Sequence, residues 1–223
     1  MQAGNRTYRT EKDIPESVPV FPLSGALLLP GGQMPLNIFE PRYLEMIDAA
    51  LRGDRVIGMI QPKFSGDTGS ADKPGLCAVG CLGRLSSFAE TGDGRYLVSM
   101  QGICRFRIAT EIAVRTPYRQ CRISPFVSDL DEEGDTSCVD REALLRVFRA
   151  YLDANELEAD WESVQKAGND TLVNALSMMS PYGPAEKQAL LEAPDLKSRA
   201  ETLIAITEMA LARDKDDFAR TLQ

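Results

Sequence analysis

The apolar residues change period once along this chain, and that change limits the available folds more than any motif does. Between residues 17 and 128, Cys104, Phe106 and Ile108 alternate with Arg105 and Arg107, and Cys121 and Ile123 alternate with Gln120 and Arg122. A period of two is that of half-buried antiparallel strands, and it predicts cysteines turned inward and arginines outward. From residue 137 onward the spacing is helical: Leu144, Val147, Phe148, Tyr151 and Leu152 form one stripe, and Leu172, Val173, Leu176 and Met179 a second. A third stripe runs from Leu196 to Arg213. Strands before helices predict an α+β fold, with a β-rich lobe over 17–128, an acidic linker over 129–136 and a helical bundle lobe over 137–223. Residues 1–16 show no period and are expected to form a mobile N-terminal arm.

Finer signals place elements inside the first lobe. Pro19 and Pro22 remove ladder donors from residues 18–23, which suits an edge or terminal strand. A second strand is expected over 33–39. Pro41 then stands where a helix loses nothing by lacking an N–H, and Tyr43, Leu44, Ile47, Ala50 and Leu51 follow at helical spacing as far as Gly53. Residues 62–76 read as a long loop. Gly92 and Gly94, between two apolar stretches, supply positive φ at low steric cost and close a hairpin.

Charge follows the same division. Residues 1–128 carry fifteen basic and twelve acidic side chains, net +3, whereas residues 129–223 carry ten and twenty-one, net −11. The chain as a whole is at −8, which disfavours nonspecific binding to nucleic acid. It contains no histidine, which removes zincin motifs, Ser-His-Asp and Cys-His pairs and the commonest neutral-pH base. The five cysteines form no CxxC pair, so reduced, buried thiols are expected in place of a metal site or a disulfide framework. Acid pairs such as Glu132-Glu133 and Asp216-Asp217 lie in linker and tail sequence, where solvation prevents a division into acid and base. With no apolar leader and no run long enough to span a bilayer, the chain reads as cytoplasmic, with no membrane partner. No catalytic, cofactor-binding or metal-binding residue is assigned.

Two longer segments say more. Residues 18–43 run Val-Pro-Val-Phe-Pro-Leu through Leu29-Pro30 to Met-Pro-Leu-Asn-Ile-Phe-Glu-Pro-Arg-Tyr, and Val79-Gly-Cys-Leu-Gly83 precedes Tyr96-Leu-Val-Ser-Met-Gln-Gly102. Together these resemble the amino-terminal substrate-recognition domain of Lon proteases in its stand-alone form, which is related to the amino-terminal part of cereblon. The likeness runs from about residue 17 to 213. It implies a PUA-like twisted β-barrel, a helical bundle, and a non-catalytic role in binding protein or unfolded polypeptide clients, with a protease or chaperone as a further partner. Neither the phosphate loop of Lon's ATPase module nor its serine-nucleophile motif occurs in this sequence.

On this reading Phe39, Tyr43, Met178, Met179 and Tyr182 are the candidate peptide-binding residues, in a crevice between the two lobes. Core packing competes as the role of Tyr43, because it shares its stripe with Leu44 and Ile47. The alternative is an RNA-binding face built from Arg105, Arg107 and Arg122, against which stands the shortage of aromatic residues for stacking bases.

Overall fold

The computed structural model describes residues 1–64, 74–131 and 136–221, with side chains described as far as Arg213. Eight strands and six helices alternate in the order β1 (Gln2–Ala3), β2 (Arg6–Thr7), β3 (Ser17–Pro22), β4 (Gln33–Ile38), α1 (Pro41–Arg52), β5 (Val56–Ile60), β6 (Val79–Glu90), β7 (Tyr96–Ile112) and β8 (Arg119–Pro125). They continue with α2 (Arg141–Ala154), α3 (Trp161–Lys166), α4 (Asn169–Met179), α5 (Pro184–Glu192) and α6 (Leu196–Thr221). The chain divides into two compact units, residues 1–134 with 181–191, and residues 135–180 with 192–223. The fold is mixed α+β, with the strands all in the first unit.

In that unit the sheet order is β4-β7-β6-β5-β3-β8, and β7 also pairs with β8, so five strands close into a ring with β4 outside it. The β3–β5 pair is parallel; the other neighbours are antiparallel. Closure removes the open edges that five short strands would otherwise expose. Strand β7 is long enough to serve two sheets, holding β4 and β6 along its first half and β8 along its second. A register shift beside Gly102 and Gly83 carries it through the bend.

The ring interior is filled by Val18, Val20, Leu82, Cys104, Phe106, Cys121 and Ile123, all buried. Burial of each large apolar side chain contributes about 1.5–3 kcal/mol. Room for the Phe106 ring comes from Gly80, where a Cβ would lie 2.6 Å from the ring and 2.5 Å from the Met59 carbonyl oxygen. Outside the ring, Tyr43, Met46, Ile47 and Ala50 form the buried stripe of α1. As expected, Gly92 and Gly94 have positive φ (81° and 85°) in the β6–β7 connection.

The N-terminal residues depart from the mobile arm expected of them. Strands β1 and β2 form a small hairpin, and Ala3, Tyr8 and Ile14 join the same buried core as Phe106. The Met1 ammonium donates to the carbonyls of Leu130 (2.7 Å) and Tyr8 (3.1 Å). Three apolar side chains spaced too irregularly to show a period still join the buried core.

Helix α5 belongs to the first unit, whereas the sequence reading placed all of 137–223 in one helical lobe. Its anchor is a buried amide network: Gln61 Nε2 donates to the Pro184 carbonyl (3.0 Å) and to Gln188 Oε1 (3.3 Å), and Gln188 Nε2 donates to the Val79 carbonyl (3.1 Å). In the second unit, α2 and α4 each pack on α6. Asp140 caps α2 by accepting from the Ala143 amide (2.9 Å), and Asp160 caps α3. Most of the expected loop (residues 65–73) and half of the linker (residues 132–135, with Glu132-Glu133) fall outside the described residues.

Candidate functional site

Strands β4, β6 and β7 extend together beyond the ring, and their tip carries three exposed large apolar side chains of the first unit, Phe39, Phe88 and Leu97, while Phe64, Val114 and Val127 are exposed elsewhere. Residues directly opposite in register share a face, so Asn37, Leu97 and Ala89 lie on one side, and Ile38, Tyr96 and Glu90 on the other. On the outer side Leu97 is 49% exposed. Phe39, one residue past the end of β4, is 62% exposed and carries the Arg95 guanidinium 6.0 Å from its ring centroid. On the inner side Phe88 is 38% exposed and meets Tyr96 edge-on at 4.8 Å. The Tyr96 hydroxyl donates to Asp48 of α1 at 3.1 Å, which ties the tip to the helix beneath it. Thr91 and Asp93 bond each other inside the turn.

Of the residues singled out from sequence, Phe39 is thus open to solvent. Tyr43 is buried and stacks at 4.2 Å on Phe21, which makes it chiefly a packing residue. Met178 and Met179 close α4 in the second unit, Met179 being 82% exposed, and Tyr182 is half-buried in the first. Leu97 and Phe88 escaped sequence reasoning, although Leu97 left a signal. It is the apolar member of an otherwise polar phase, Leu97-Ser99-Gln101, in a strand whose inward phase is Val98-Met100.

The arginine face of the alternative reading does not exist as a unit. Arg107 and Arg122 are exposed, but Arg105 is buried. Its Nε and Nη2 reach Asp129 at 2.8 and 2.7 Å, its own amide donates to the same carboxylate at 2.9 Å, and Nη1 donates to the Leu191 carbonyl at 3.3 Å. Phe126 lies beneath the guanidinium at 5.1 Å. At Arg105 the outer side of β7, to which alternation assigned the arginines, is covered by the turn Val127–Leu130 and the end of α5. Arg105 is therefore a structural clasp and is withdrawn as a nucleic-acid contact.

The cysteines behave as packing groups. Cys77, Cys81, Cys104 and Cys121 are buried, and only Cys138 is exposed. Burial, and secondarily the Asp129 charge, push the Cys104 thiol up to about 12, far from the thiolate a nucleophile needs. A disulfide-exchange reagent is accordingly expected to modify Cys138 rapidly in native protein and the other four thiols only on unfolding. Fast modification of Cys104 in the folded state would contradict this placement. Among the described residues no three Cys, Asp or Glu side chains converge as a metal site, and no helix is long and apolar enough to cross a membrane.

Residues 17–208 match the ATP-dependent protease La (LON) substrate-binding domain, and the chain belongs to that family. Lon protease 2 of Myxococcus xanthus is 28% identical over 207 residues, covering 88% of this chain and 24% of that protein. The Lon protease of Desulfosudis oleivorans is 30% identical over 198 residues, covering 85% and 23%. The chain thus spans about a quarter of the length of these relatives. Among solved structures, the Lon N-terminal domain protein from Xanthomonas campestris superposes with a TM-score of 0.59 at 22% identity, covering 85% of this chain and 97% of that one. The N-terminal domain of the Mycobacterium avium complex Lon protease gives 0.63 at 18% identity, covering 86% and 98%. At those identities the likeness concerns the fold.

Proposed function

We propose that this chain is a non-catalytic recognition module that holds exposed apolar segments of client polypeptides on the tip formed by β4, β6 and β7. The observation that carries the reading is the grouping of Phe39 and Leu97 on one face, with Phe88 behind them. An apolar client segment gains there by covering surface that water now meets. Strand β4 ends the sheet order, so a client can also add main-chain hydrogen bonds along its outer edge, with Pro35 limiting their number. Membership in a substrate-binding domain family supports clients of this kind. In the same reading the ring is a PUA-like barrel, the second unit is a helical bundle, and the module works in the cytoplasm beside a protease or chaperone that receives the client.

The test is a double substitution, Phe39→Ser with Leu97→Ser, measured by fluorescence anisotropy with a labelled, carboxymethylated and permanently unfolded polypeptide. Loss of two exposed apolar anchors is expected to weaken binding at least about tenfold, while thermal stability shifts little because surface substitutions typically stay within about 0.5 kcal/mol. Unchanged affinity in a folded double variant would reject the tip as the site.

A further inference from the structure

A second concavity of the first unit lies where the end of β3, the start of α1 and the β7–β8 connection come together. Its volume is about 610 Å3, within the usual range of about 300–1,000 Å3 for ligand sites. Its lining combines the apolar residues Pro22, Pro62, Pro117 and Val114 with the charged residues Arg42, Arg119 and Glu111. Two arginines and one carboxylate line it, and the carboxylate of Glu40 pairs with Arg42 from beside it.

The two arginines are committed to different degrees. Arg119 is held in place, its fork on Glu111 at 3.0 and 2.7 Å and its Nη1 on the Pro74 carbonyl at 2.6 Å. Arg42 lies 4.6 Å over the Tyr43 ring and, among the described residues, pairs with Glu40, through Nε at 2.9 Å and Nη2 at 2.7 Å. Both members of the latter pair are more than two-fifths exposed, and such surface pairs add little to stability. An incoming carboxylate can replace Glu40 at small cost, whereas the Arg119–Glu111 pair stays as a wall. Burial also keeps the Tyr43 hydroxyl protonated, so the ring under Arg42 stays uncharged.

We infer that this cavity binds the carboxyl-terminal residue of a client polypeptide, with Arg42 holding the α-carboxylate and the proline and valine wall taking an apolar last side chain. The inference rests on the client-binding reading above and adds which part of the client is read here. A chain end supplies both halves of the required chemistry, a full negative charge and an adjacent apolar group.

Fluorescence anisotropy on the full chain tests it with short labelled peptides ending in valine, as the free acid or the amide. The acid is expected to bind about tenfold more tightly than the amide, with the advantage shrinking as salt rises. Arg42→Gln at this exposed position should abolish the advantage, as should Val114→Asp, which sets a like charge opposite the carboxylate. Phe39→Ser with Leu97→Ser should preserve it. Equal binding of acid and amide would overturn the inference, and so would an advantage that survives Arg42→Gln. N-acetylvaline competing as well as the peptide acid would also overturn it, because the polypeptide part would then go unread. If acid and amide bind equally while the unfolded polypeptide still binds, this inference fails and the client-binding reading stands; if neither peptide nor polypeptide binds, both fail.

Discussion

Gly102→Ala is expected to abolish the native fold. A Cβ at this position would stand 2.0 Å from the Leu29 carbonyl oxygen and 2.8 Å from its carbon, both backbone atoms. The contact cannot be relieved by a rotamer change, because the facing segment is fastened to this residue from both sides: the Gly102 amide donates to the Gly32 carbonyl (2.9 Å) and the Gly31 amide to the Gly102 carbonyl (3.1 Å). Moving the segment away would break both bonds and draw Leu27, Leu28 and Leu29 out of the core, where all three are buried. Overpacking alone costs about 1–3 kcal/mol, and lost burial adds to it, against a total stability typically of about 5–15 kcal/mol. Chemical denaturation followed by circular dichroism should show a loss of at least about 3 kcal/mol, or no folded baseline. Gly92→Ala is the control: nothing lies near its Cβ position, so only its φ of 81° penalises a side chain, by about 1–2 kcal/mol. Equal small losses in the two variants would mean that the loop and β7 do not approach as described.

Arg105→Met should come next in severity. It removes one partner of an ion pair whose side chains are 4% and 9% exposed, leaving Asp129 charged, poorly solvated and without its fork. Breaking a buried pair in this way costs about 3–5 kcal/mol, mostly through the stranded charge. The double variant Arg105→Met with Asp129→Leu removes both charges and is expected to recover most of the loss in urea denaturation, since well-packed apolar replacements of buried pairs are often neutral. A single variant costing under about 1 kcal/mol would show the pair to be solvated.

These two positions also mark how far the sequence could be read. The hairpin turn, the α1 stripe and the strand-before-helix order were legible because each is set by neighbours a few residues apart. Strand β7 runs on through Gly102, whose lack of a side chain lets it pass the 29–32 segment, a contact between residues about seventy positions apart that no local pattern reports. Arg105 stood in the polar phase of its strand and so read as solvated. Its burial arises from groups 24 and 86 positions away, Asp129 and Leu191, which no local period reports. The same holds for residues 1–16, where Tyr8 is buried in the core that holds Phe106. At the candidate site, Phe39 was legible as an aromatic residue beside a helix start, but its exposure followed only from β4 lying outside the ring, and Tyr43 four residues later turned inward.

On the proposed function, client chains are held at the β4, β6 and β7 tip. Hydrogen exchange read by mass spectrometry, with and without the carboxymethylated unfolded polypeptide, tests it most directly. The account predicts slowed exchange over residues 33–39 and 86–98 when the polypeptide is present. Slowed exchange confined to the second unit, or none at saturating polypeptide, would contradict it.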